Sequence, residues 1–140
     1  MKAIGLFGQK YVNVDRREYE LGSAGPNEAI VEVRASGVCG TDLNFLRDSD
    51  DGFHPLGHEL SGVVVETGGC VRNVKPGDKV VAEPAMHFRQ AIDLLKARAV
   101  DPDVFLTDYV TFDTFEQKMR DVIEQKIPAV KVCLRPNSLM

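Results

Sequence analysis

Short apolar runs, broken at close intervals by glycine and proline, fill the first 83 residues and leave little choice of architecture. Lys2 to Phe7, Val12 to Arg16, Ala29 to Ala35, Gly62 to Glu66 and Lys79 to Ala82 are each too short for an ordinary helix and are rich in β-branched or apolar side chains. Between them lie Gly22-Ser23-Ala24-Gly25-Pro26-Asn27, Gly68-Gly69 and Lys75-Pro76-Gly77-Asp78, which supply the backbone angles that tight connections need. Strands of this length and spacing predict a small barrel or sandwich.

After Pro84 the period changes. Phe88, Ala91, Ile92, Leu95 and Ala99 fall at helical spacing, with Arg89, Gln90, Asp93, Lys96 and Arg98 on the other face, so an amphipathic helix is predicted. A strand from about Val104 to Val110 follows. Next comes a helix started by Asp113 or Thr114, with Phe115, Met119, Val122 and Ile123 inward, that ends before Pro128. Val130 to Leu134 reads as a last strand. The class is mainly β, α+β, and 140 residues with 44% apolar content suffice for one core but not for two ordinary domains.

Charge narrows the function classes. The 17 Lys and Arg and 21 Asp and Glu are interspersed and sum to −4, so no basic stripe offers itself to nucleic acid or an anionic membrane, and small-molecule chemistry is expected. No apolar run approaches the roughly eighteen residues of a spanning helix, and Met1-Lys2-Ala3-Ile4 leads into a strand rather than a signal-peptide core. Cys39, Cys70 and Cys133 are odd in number and widely spaced, unlike a disulfide framework. Reduced thiols and a cytoplasmic setting are expected.

Two motifs carry chemistry: Gly37-Val38-Cys39-Gly40-Thr41-Asp42 and Gly57-His58-Glu59. Thiolate, imidazole and carboxylate are the usual zinc ligands, and a catalytic zinc takes three of them and keeps a position open. By themselves the same residues also suit a small core cysteine and a surface His–Glu ion pair. Lys131, on the last strand, either approaches Glu59 or is an exposed strand lysine. Cys70 reads as a bystander thiol between strands, Cys133 as core, His54 as a solvated or substrate-side loop residue, and His87 as structural.

In these motifs and their order the sequence resembles the zinc-containing alcohol and polyol dehydrogenases of the medium-chain dehydrogenase/reductase superfamily. The likeness covers nearly the whole chain. It includes the opening Met-Lys-Ala strand, the Cys39 and His58 motifs, Ser61-Gly62-Val63-Val64-Val65-Glu66-Thr67-Gly68, and Val74-Lys75-Pro76-Gly77-Asp78-Lys79-Val80. The stretch from His87 to Pro136, ending in Ala129-Val130-Lys131-Val132-Cys133-Leu134, is similar to the part that returns to the catalytic domain in those enzymes.

The resemblance implies a GroES-like fold, a partly open β-barrel with flanking helices, spanning residues 1–140 as one catalytic domain. It implies that Cys39 and His58 ligate a catalytic zinc, and that Glu59 either joins them or stands just behind the metal. Asp42 is implied to fix the His58 ring by accepting its other N–H, the alternative being a cap on a short helix from Leu43. Thr41 is implied to take the proton from a metal-bound alcohol, the alternative being an N-cap. Where many alcohol dehydrogenases continue that relay with a histidine, this chain has Asn44. The implied reaction is hydride exchange between an alcohol or polyol and NAD or NADP, and the Val80-Val81-Ala82-Glu83-Pro84 run is more like the polyol and butanediol branch.

Two family features are missing from these 140 residues. No Gly-x-Gly-x-x-Gly occurs, so no glycine turn and helix N-terminus receive a pyrophosphate. No group of closely spaced cysteines follows Glu83-Pro84, which excludes a four-cysteine structural zinc lobe. The expected organisation is therefore a stretch 1–84, a junction at 85–87 where the nucleotide domain is absent, and a stretch 88–140. Such a chain is expected to be a monomer, inactive alone, that holds zinc weakly or not at all. Two other readings are a zinc-less relative of the quinone reductases and a non-enzymatic GroES-like binding module.

Overall fold

The computed structural model describes residues 1–82 and 88–136, so the predicted junction at 85–87, and His87 with it, lie outside the described residues. The chain order is β1 (Lys2–Gln9), β2 (Asn13–Glu20), β3 (Ala29–Val38), α1 (Gly40–Asp48), β4 (His54–Pro55), β5 (Glu59–Thr67), β6 (Lys79–Ala82), α2 (Phe88–Lys96), β7 (Leu106–Val110), α3 (Phe115–Ile123) and β8 (Lys131–Leu134). Strands dominate, as expected. They form a three-stranded sheet ordered β2-β1-β4 and a five-stranded sheet ordered β6-β5-β3-β8-β7, with no closed barrel among the described residues. All pairs are antiparallel except β7 with β8, which the intervening α3 connects as a parallel crossover.

The core lies where the sheets meet α1 and α3. Leu6, Val38, Leu46, Val110, Phe115, Met119, Val132 and Leu134 are buried together. In α3 the inward residues are the predicted ones, because Phe115 and Met119 stand one turn apart on the same face. The helix stops where Gln125 turns to φ 57°, three residues before Pro128.

Differences from expectation lie at element ends. The strand expected from Val104 starts at Leu106, because Pro102–Val104 form a turn of 3-10 helix that Asp101 caps by accepting from the Asp103 N–H. β2 continues to Glu20, since its exposed polar residues pair with β1 along their whole length. β5 starts at Glu59, three residues ahead of the expected Gly62, because β3 supplies a partner that far. Its apolar alternation weakens there, so hydropathy alone stops short.

The β1–β2 turn is strained and held from outside. Tyr11 and Val12 both adopt positive φ, 67° and 53°, which is costly for a β-branched side chain. Arg120 of α3 donates to both of their carbonyls, at 3.0 and 3.3 Å, and the Val12 N–H donates to the Leu46 carbonyl of α1 at 2.9 Å. These bonds tie the hairpin, α1 and α3 into one body.

Candidate metal centre

Strand register brings the two motifs together. β3 and β5 run antiparallel with Gly37 opposite Glu59, so Cys39, just after β3, and His58, just before β5, emerge at the same end of the sheet. Their Cys39 Sγ and His58 Nε2 lie 3.2 Å apart. Two ligand atoms of one tetrahedral zinc stand about 3.5 Å apart, given Zn–S and Zn–N bonds of about 2.3 and 2.0–2.1 Å. The donor pair therefore fits zinc in both chemistry and separation.

Asp42 organises the pair. It is the third residue of α1, and its side chain is completely buried, 0% exposed. Its Oδ2 accepts from the Cys39 N–H at 2.9 Å, and its Oδ1 accepts from the Gly57 N–H at 3.1 Å. Oδ1 also stands 3.6 Å from His58 Nδ1. A carboxylate on the Nδ1 side favours the tautomer that leaves Nε2 with its lone pair free, which is the form a metal requires. Cys39, Asp42 and His58 form the one grouping of potential metal ligands found among the described residues, with their donor atoms all within 4.8 Å.

Of the two alternatives weighed for Asp42, the helix cap is present, although the helix begins at Gly40, not Leu43; toward His58, Oδ1 stands 3.6 Å from Nδ1, outside hydrogen-bond distance. Thr41 is not the N-cap, a position that Cys39 holds. It lies exposed in the first turn, one residue from the cluster. Asn44 accepts from Arg47 on the same helix at 2.9 Å.

Glu59 is engaged elsewhere. Lys131 Nζ donates to Glu59 Oε2, so the approach considered for Lys131 occurs and the exposed alternative does not. Gly37 makes room for that bond: a Cβ there would stand 2.8 Å from Glu59 Oε2 and 3.0 Å from Lys131 Cε. β3 lies between β5 and β8, so a side chain at Gly37 would sit on the line joining the two charges.

The other singled-out residues lie apart. His54 stacks on Phe45, with ring centroids 4.1 Å apart, and its Nε2 is 2.7 Å from Asp51 Oδ1. The Ser49 hydroxyl donates to the same carboxylate, and these bonds, that of Ser49 foremost, lower the Asp51 pKa to about 2. Cys133 is buried, and burial raises its pKa. Cys70 is exposed. No cysteine is in a disulfide.

Sequence reasoning quoted Gly57 within its motif but gave it no role. Its N–H is a donor to Asp42, its φ of 80° suits glycine, and a Cβ would stand 2.5 Å from Ser36 Oγ. The signal that was present is Cys39 followed three residues later by Asp42 at the start of a helix, a capping-box spacing.

The chain is similar to several known proteins. D-xylulose reductase of Saccharomyces cerevisiae is 30% identical over 114 residues, which are 74% of this chain and 32% of that protein. Bovine sorbitol dehydrogenase is 38% identical over 72 residues, 47% of this chain and 20% of that protein. The crystal structure of 2R,3R-butanediol dehydrogenase from Bacillus subtilis superposes with a TM-score of 0.51 at 27% identity, covering 62% of this chain and 29% of that one. The chain thus spans about a fifth to a third of the length of these relatives. The alcohol dehydrogenase GroES-like domain family matches residues 25–101, more than half of the chain, and the chain belongs to that family.

Proposed function

We propose that this chain is the zinc- and substrate-binding catalytic domain of an alcohol or polyol dehydrogenase, with Cys39 and His58 as metal ligands. The observation that carries the reading is the 3.2 Å approach of Cys39 Sγ to His58 Nε2, with buried Asp42 behind the ring. Zinc bound there supplies Lewis acidity, which lowers the pKa of a coordinated alcohol hydroxyl toward neutrality.

The chain's own residues then have separate tasks. Asp42 orients His58 and anchors the backbone at Cys39 and Gly57. Thr41, exposed beside Cys39, receives the alcohol's proton. Glu59 is the third candidate ligand. Its bond to Lys131 supports the role behind the metal over direct ligation, because ligation would have to break an ion pair held between two strands. The substrate class is a small alcohol or polyol, and the names of the relatives support the polyol side.

Hydride transfer needs NAD or NADP, and the chain has no Gly-x-Gly-x-x-Gly turn to hold it. We therefore assign residues 1–140 to one domain interrupted at 85–87, made of the stretches 1–84 and 88–140, with the nucleotide domain not among them. The chain alone is inactive and monomeric in this reading. Helix α2 supports the absence of a covering domain: Leu94 and Leu95 are 50% and 44% exposed.

Zinc content of the freshly purified chain, set beside Cys39→Ser and His58→Ala, tests the proposal. The expected result is weakly held zinc in the parent chain, restored by added zinc where it is lost on purification, and no zinc in either variant. Stoichiometric zinc that persists in either variant overturns the site assignment, and a parent chain that takes up no added zinc favours the zinc-less or binding-module readings. NAD or NADP binding tighter than about 1 mM, equivalent to roughly 4 kcal/mol, overturns the assignment of cofactor binding to a missing domain.

A further inference from the structure

A cavity of about 560 Å³ opens between the two sheets, with neither Cys39 nor His58 in its lining. Ile4 and Leu6 of β1, Ile30 of β3, Leu60 of β5, Leu134 of β8 and the Leu56 loop supply its walls. The volume lies within the range of small-molecule pockets, about 300–1,000 Å³. Walls of this kind offer water few hydrogen bonds, so an apolar occupant displaces it at little cost.

The cavity has a direction. Lys2, Ile4 and Leu6 share one face of β1, since alternate residues of a strand point the same way. Exposure falls along that row, from exposed Lys2 through Ile4 at 38% to Leu6 at 7%, so the mouth is at Lys2 and the floor at Leu6. The polar groups at the wall are accounted for except one. The Ser36 hydroxyl donates to the Gly57 carbonyl at 3.1 Å, and Glu32 is paired with Arg34 at 2.9 Å. Lys2 forms no ion pair among the described residues, not even with Glu20, its cross-strand neighbour in register.

We propose that this intersheet cavity binds an aliphatic carboxylate, its hydrocarbon chain between Ile4, Leu6 and Leu60 and its carboxylate against Lys2. The charge of Lys2 in line with an apolar channel selects an amphiphilic anion over a neutral hydrophobe or a peptide. The site shares Gly57 at its wall with the metal centre, but the proposal does not rest on the dehydrogenase reading.

Calorimetric titration of the whole chain with decanoate tests it. A saturable dissociation constant of about 0.1–1 mM is expected. Lys2→Met is expected to weaken decanoate about three- to fivefold, as for an exposed ion pair, while leaving the weaker binding of decanol unchanged. Ile4→Trp and Leu21→Trp fill the rim, where both side chains are more than a third exposed, and are expected to abolish both ligands with the far-ultraviolet dichroism unaltered. Absence of saturable binding overturns the proposal, as does decanoate affinity that survives both tryptophan variants. Sedimentation showing a dimer that Ile4→Trp dissolves would identify a second copy as the occupant and overturn it too. If the tryptophan variants misfold, exposed Lys2 decides: equal loss of decanoate and decanol in Lys2→Met rejects the carboxylate.

Discussion

Helices α2 and α3 are both nine residues long and both amphipathic, yet only one is buried. In α3, Phe115 and Met119 are almost without exposed surface, the Lys118 ammonium donates to Asp108 of β7, and Arg120 holds the β1–β2 turn. In α2, Leu94 and Leu95 stay near half exposed, Ile92 is half-buried against the Val80–Val81 edge, and no ion pair joins the helix to another element among the described residues. The same hydrophobic period therefore marks a face that wants a partner without saying where the partner is. For α3 it is this chain's own sheet. For α2 the described residues supply only the Val80–Val81 edge beside Ile92.

The largest effect expected from this contrast is at Phe115. Phe115→Ala removes a packed ring from the core and should cost about 3–5 kcal/mol, seen as a shifted urea midpoint with an unchanged slope. A loss below about 1 kcal/mol would mean that α3 is docked no better than α2.

The next sharpens the difference between helix starts. At the third position of α1, Asp42→Ala leaves the Cys39 and Gly57 N–H groups without an acceptor and should cost about 2–4 kcal/mol, while lowering zinc affinity about 10–100-fold. At the same position of α3, Gln117 is exposed and its side chain bonds Asp121, so Gln117→Ala should change stability by about 0.5 kcal/mol or less. Comparable losses at the two positions would remove the special standing of the α1 start.

A smaller effect is pH-dependent. The hydrogen bond from Lys118, followed by a weaker one from Thr107 and by the charge of Lys118, holds the Asp108 pKa below its ordinary value of 3.8 against the opposing effect of burial. The folded state thus favours the ionised carboxyl. Its contribution, about 0.5–1 kcal/mol for a partly exposed pair, is fully present above the unfolded pKa and is lost as pH falls through the folded one. Asp108→Asn should flatten stability between about pH 5 and pH 2 relative to the parent chain. An unchanged profile would show that the pair does not anchor α3.

The smallest effect on stability is expected at the bare helix. Leu94→Lys with Leu95→Gln should alter unfolding by about 0.5 kcal/mol or less and suppress any self-association seen by sedimentation, because an uncovered apolar patch promotes contact. Destabilisation approaching that of Phe115→Ala would show that α2 is packed in this chain after all.

Local chemistry alone determined a good deal about this protein. The β texture of residues 2–82 and the inward face of α3 were legible, since periodicity and turn residues are properties of neighbouring residues, whereas Cys39 and His58 were singled out by residue type and joined as ligands only by the family resemblance. The resemblance to zinc-containing dehydrogenases rested on those same motifs, and the family match to residues 25–101 bears it out. What tertiary structure decided was which groups meet. The alignment of Gly37 with Glu59 puts Cys39 Sγ beside His58 Nε2, the absence of a side chain at Gly37 lets Lys131 reach Glu59, and the Gly57 N–H completes Asp42. None of these could be read along the chain, because each depends on strand register and on contacts between residues far apart in sequence. Burial of α3 and exposure of α2 divide in the same way: an apolar stripe is written locally, but its partner is a matter of three-dimensional packing.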